Sequence, residues 1–141
     1  MITASTKKYV AITPPAAIVD AASYTTTSVD TKGFKKCRIV AFIGATDIAM
    51  TALKVQESDD NSSFADITGA TFTTLPSATN DNTFWAIDIN MDGSRKRYLD
   101  LVATAGDGAA GTYLAAWAEL SGAEEMPNSS SEQGLADHVT V

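Results

Sequence analysis

The chain has 141 residues, a formal net charge of −7 and a 45% apolar composition, which suits one domain and leaves no room for two ordinary ones. Leu, Ile, Val and Phe make only 29 of the 141 residues, close to the share of about 20% below which chains tend to stay disordered, so the core is lean and padded with alanine. One cysteine (Cys37) and one histidine (His138) exclude an intrachain disulfide, a cysteine-based zinc site and a two-histidine metal motif, and with them most catalytic chemistry.

Charge is divided unevenly. Residues 1–54 hold seven Lys/Arg against three Asp/Glu, and residues 55–141 hold three against fourteen. An isoelectric point near 4.4 argues against a nucleic-acid partner, because neutralising phosphates needs a basic face. The basic triplet Arg95-Lys96-Arg97 reads as the solvated end of a strand. No run of 18 apolar residues occurs, so no helix is expected to cross a membrane. The opening MITASTKKYVAITPP lacks the apolar stretch of a secretory signal, and the expectation is a soluble protein of a reducing compartment.

In chain order, residues 1–22 read as an arm. Lys7 to Ile12 could form one edge strand, and Pro14-Pro15 is expected to stop it and keep the chain extended. Tyr24 to Val29 is Thr-rich and runs into the turn Asp30-Thr31-Lys32-Gly33. Lys36 to Ile43 is a strand with Cys37, Ile39, Ala41 and Ile43 on one face and Arg38, Val40 and Phe42 on the other. Ala52 to Ser58 alternates with Leu53 and Val55 inward and ends at the polar loop Asp59 to Ser63. Phe64 to Ile67 and Ala70 to Thr73 read as two short edge strands separated by Gly69.

Phe84 to Ile89 alternates again, with Trp85, Ile87 and Ile89 together. Asp92-Gly93 signals a hairpin into the strand Arg97 to Ala103. Gly106 to Gly111 reads as a second hairpin loop into Thr112 to Leu120. That last run also places Tyr113, Leu114, Trp117 and Leu120 on one helical face, and alanine favours helix. A strand is preferred because a glycine-rich loop follows a strand directly. From Gly122 the chain is acidic, Ser-rich and broken by Pro127 and Gly134, and it reads as a flexible tail. Short strands between turn signals predict an all-β, antiparallel, jelly-roll-like sandwich over residues 23–121, with extended arms at 1–22 and 122–141.

Four constellations bear on chemistry. Gly106-Asp107-Gly108-Ala109-Ala110-Gly111 spells G-x-G-x-x-G, but only 30 residues follow, too few for the rest of a dinucleotide fold. Asp59, Asp60 and Asn61 with Asp66 offer oxygens to a hard cation without the spacing of a calcium loop. Asp88, Asp92 and Asp100 straddle the first turn, and alternation places Asp88 and Asp100 on outer, solvated faces. Trp85 and Trp117 read as core, with a sugar-stacking face as the alternative. No cofactor or metal is expected.

The segment Val29-Asp30-Thr31-Lys32-Gly33-Phe34, the strand after it, and Gly44 to Asp59 with its run Ala52-Leu53-Lys54-Val55-Gln56-Glu57-Ser58-Asp59 resemble the head decoration, or capsid cement, proteins of tailed phages. Tyr98-Leu99, the Gly-rich loop and Ala118-Glu119-Leu120-Ser121 are also similar, so the resemblance spans roughly residues 24–121. It implies a jelly-roll-like sandwich without enzymatic activity. It also implies a homotrimer bound to the major capsid protein on the virion surface, after synthesis in the host cytoplasm. The arm is then expected to grip a neighbouring subunit or the shell through Tyr9, Val10, Ile12, Pro14, Pro15, Ile18 and Val19. Two other readings stay open: a carbohydrate-binding sandwich of a phage tail or adhesin, and a small hydrolase with paired carboxylates.

Overall fold

A computed structural model describes residues 7–18, 22–125, 127, 129–137 and 139, with residues 14–16 described by their backbone alone. Among the described residues there are strands and no helix: β1 (Lys7–Ile18), β2 (Ala22–Thr25), β3 (Val29–Asp30), β4 (Phe34–Thr46), β5 (Ala52–Ser58), β6 (Ala65–Thr71), β7 (Thr83–Asn90), β8 (Tyr98–Ala105) and β9 (Thr112–Ala123). They form two antiparallel sheets. The first runs β1-β9-β4-β7 and the second β2-β8-β5-β6, with β3 also on β8.

Ala22 pairs with Ala105 and Val29 with Leu99, so β2 and β3 are two pieces of one interrupted edge strand. Counted as one, they give eight strands ordered first–eighth–third–sixth and second–seventh–fourth–fifth. That is the jelly-roll arrangement, in which the chain keeps crossing between sheets. Among consecutive strands only β5 and β6 pair. Neither Asp92-Gly93 nor the Gly106–Gly111 loop therefore closes a hairpin, as their composition predicted. β7, β8 and β9 alternate between sheets, and each glycine turn carries the chain across the sandwich instead.

The inward rows build the core. Cys37, Ile39, Ala41 and Ile43 of β4 face Leu53 and Val55 of β5 and Leu99, Leu101 and Ala103 of β8, all buried. β9 contributes Leu114, Ala116, Ala118 and Leu120. It is flanked by β1 on one side and β4 on the other, and pairing on both edges overrides alanine's preference for helix. β6 is one strand rather than two. Gly69 sits inside it at φ +85°, next to a register shift against β5, a bulge of the kind that lets an extra residue into an edge strand.

Both expected arms differ from the reading above. β1 continues through Pro14 and Pro15 to Ile18, with register shifts between Ala11 and Thr13 and between Thr13 and Ala16. An edge strand tolerates proline because a missing N–H can face away from the ladder. Ile12 and Ile18 are buried in this chain's own core, Tyr9 and Val10 are half-buried, and Val19 lies outside the described residues. Ile12 and Ile18 both belong to the buried core cluster that the two sheets share. At the other end, residues 129–135 form a turn, and Tyr9 donates its N–H to the Gln133 carbonyl at 2.8 Å. Gln133 is buried, so this part of the expected tail caps the free edge of β1. His138 lies outside the described residues.

Candidate functional site

The outward row of the first sheet has two halves. On β4 it reads Lys36, Arg38, Val40, Phe42, Gly44; β7 runs antiparallel beside it and β9 on its other side. Register puts Phe42 opposite Phe84 and Ala115, Val40 opposite Trp117, and Arg38 opposite Asp88 and Glu119. One end of the face is therefore aromatic and the other charged.

At the aromatic end the rings of Phe42 and Phe84 lie 4.7 Å apart, and Trp117 meets Phe84 edge-on at 6.0 Å. Phe84 is 67% exposed and Tyr113 54% exposed. The Tyr113 Cβ comes so near Gly44 that a methyl group there would sit at 3.1 Å from it, so the glycine leaves Tyr113 room to lie across β4. Single exposed apolar residues are ordinary, but a contiguous aromatic patch on a sheet face marks an interaction surface. Cross-strand aromatic pairs of this kind also fix register.

At the charged end, Arg38 holds Asp88 through two hydrogen bonds of 2.7 and 3.0 Å, and Lys7 pairs with Glu119 at 3.0 Å. The guanidinium holds the Asp88 carboxyl below the usual carboxylate range, and the bond to Glu119 raises Lys7. These pairs flank a cleft of about 390 Å³, also lined by Lys36, Asn90 and Ser121. Cys37 lies beneath it, its thiol pushed up to about 12, first by burial and then by the nearby Asp88.

The other sequence candidates are dispersed by the fold. β7 and β8 lie in different sheets, so Asp88 and Asp100 cannot act as an acid–base pair. Asp88 is on an outer face as expected, whereas Asp100 is buried, with Oδ1 unpaired and its carboxyl pushed up to about 6 by desolvation. Asp60 accepts the backbone N–H groups of Ser62 and Ser63 and the Ser58 hydroxyl, all at Oδ1, which lowers it to about 2 and commits that oxygen to its own loop. Asp66 is held by Lys54 and Gln56. Among the described residues, no three His, Cys, Asp or Glu side chains gather as a metal site.

The two tryptophans lie on opposite faces of the first sheet. Trp85 points inward, edge-on to Phe72 at 5.1 Å, and donates Nε1–H to Thr83 Oγ1. Trp117 is outward and half-buried. No joint platform exists, and the aromatic face built by Phe42, Phe84, Tyr113 and Trp117 was not singled out by the sequence reading. Its signal was there in the alternation: Phe84 falls opposite in phase to Trp85, and Tyr113 and Trp117 opposite to Leu114 and Leu120.

The fold is similar to that of a solved protein, the PBSX exported protein XepA, with a TM-score of 0.55 over 84% of this chain at 20% identity. The chain spans 38% of that protein's length. Comparison with protein-family models and with curated proteins finds no match.

Proposed function

We propose that this protein is a structural component of a tailed-phage virion, a homotrimer that decorates the head by docking on the outer surface of the major capsid protein shell. The observation that carries the reading is the aromatic end of the outer face, where Phe84 and Tyr113 stand exposed beside Phe42 and Trp117. A lean monomer that leaves such surface in water gains stability by covering it with a partner. The resemblance of residues 24–121 to head decoration proteins supports the same reading. The protein acts by binding and not by catalysis.

The test is cosedimentation with expanded, undecorated phage heads, with mass by light scattering in parallel. Wild-type protein is expected to pellet with the heads and to measure as a trimer. Phe84→Ser combined with Tyr113→Ser is expected to keep the fold and lose the heads. Heads that bind the double variant as well as the wild type overturn the aromatic face as the contact.

A further inference from the structure

The charged end of the outer face carries a feature that head docking does not use. The cleft between β1, β9, β4 and β7 contains two ion pairs that neutralise one another, Arg38 with Asp88 and Lys7 with Glu119. One register row beyond Arg38, Asp88 and Glu119 stand the side chains of Lys36, Asn90 and Ser121, which line the cleft and make no hydrogen bond or ion pair with other described residues. Fixed charges thus hold the walls in place while uncommitted donors and acceptors face the opening. Cys37 and Ile89 also line the cleft, beneath the polar row.

We infer that this cleft binds a saccharide. A hexose presents a ring of hydroxyl groups, each donor and acceptor, and at least one flat C–H face. Hydroxyls need closely spaced groups of both kinds, which Lys36 (donor), Asn90 (both), Ser121 (both) and the free lone pairs of Asp88 supply. The C–H face needs an apolar surface, which Ile89 and Cys37 at the floor of the cleft supply. At about 390 Å³ the cleft is within the usual range of ligand sites, about 300–1,000 Å³, and admits one or two sugar rings. Internal pairing of four of the five charges leaves a weak field, which suits a neutral sugar better than a phosphate or sulfate.

This site is separate from the aromatic end that carries the head-docking reading, so the two can fail independently. The experiment is titration of the isotope-labelled full chain with a panel of neutral hexoses, N-acetylhexosamines and their short oligosaccharides, followed by backbone amide shifts and the Asn90 side-chain amide shift. Phosphate and acetate are titrated as controls. At least one sugar is expected to shift resonances of β4, β7 and β9 around the cleft. Asn90→Ala and Lys36→Ala, both at exposed positions, are each expected to weaken it about 3- to 10-fold. The same two variants should bind phage heads unchanged, and Phe84→Ser with Tyr113→Ser should keep the sugar. The proposal is overturned if no sugar in the panel shifts these resonances, if Asn90→Ala and Lys36→Ala bind as wild type, or if phosphate and acetate produce the same shifts, which would make the cleft an anion site.

Discussion

The carbonyl oxygen of Tyr9 occupies the position that a Cβ on Gly134 would take. The tail passes directly across β1 there, with φ +75° at the glycine and the neighbouring Gln133 carbonyl accepting the Tyr9 N–H. A side chain is excluded twice, by the backbone it would strike and by a φ that L-residues rarely adopt. Gly134→Ala is therefore expected to release the turn at 129–135 from the β1 edge. The checks are loss of hydrogen-exchange protection at the Tyr9 amide and faster proteolysis after residue 125. The global fold should persist, with stability lowered by about 1–2 kcal/mol. A Tyr9 amide as protected as in the wild type would refute the contact.

A second expectation concerns pH. Asp100 sits on β8 with its side chain 3% exposed and Oδ1 unpaired, and burial raises it to about 6. Its folded value is above its unfolded one, so between roughly pH 4 and 6 the folded chain binds a proton that the unfolded chain has released. Stability should then rise as pH falls from 7 towards 4.5. Below that, carboxyls lowered by their partners reverse the trend: Asp60, Asp88, Asp30 and Asp66 contribute stability present above about pH 4 and lost as they protonate. Asp100→Asn should stabilise the protein at pH 7 by about 2 kcal/mol and have little effect at pH 4. Denaturant titrations at both pH values decide it.

Cys37 supplies a third. Its side chain is 1% exposed and its thiol is pushed up to about 12, so the nucleophilic thiolate is scarce and shielded at neutral pH. A disulfide-exchange reagent at pH 8 should label the native protein only at the rate of global unfolding and label the denatured protein at once. Stoichiometric labelling within minutes, with the native spectrum retained, would show that the cleft floor opens.

What the sequence conveyed and what it withheld follow from how far apart the deciding residues lie. Ala52 to Ser58 was legible to the residue, because period-two alternation is local, and the all-β sandwich followed from several such runs. The turn at Asp92-Gly93 was legible as a turn but not as a crossing, since only the pairing of β7 with β4 and of β8 with β5 reveals which sheet each side enters. Asp100 alternates outward as expected and is nevertheless buried, on a strand paired along both edges, by β5 and by the interrupted β2–β3, a neighbourhood that no local pattern reveals. The outer aromatic face joins Phe42, Phe84 and Trp117 from three strands far apart in sequence, so each looked like an isolated hydrophobe.

The final expectation separates two roles for the N-terminal segment. If Tyr9, Val10, Ile12 and Ile18 anchored the chain to a neighbour, truncating them would weaken assembly and leave the monomer's unfolding unchanged. In the structure β1 pairs with β9 from Lys7↔Ser121 to Ile18↔Thr112. Ile12 and Ile18 are 2% and 5% exposed within the core, and the Ile12 carbonyl accepts the N–H of Thr27 at 3.0 Å and its hydroxyl at 2.9 Å. Ile12→Ala and Ile18→Ala should each cost about 2–5 kcal/mol, the range for a large-to-small change in a packed core. That loss should be the same at micromolar and at hundredfold lower protein concentration, because the contact is intramolecular. Removing residues 1–18 should prevent folding rather than only assembly, since it strips an edge strand and two core isoleucines from a chain with little apolar area to spare. A truncated chain that still unfolds cooperatively at the wild-type midpoint would return the segment to the role of an arm.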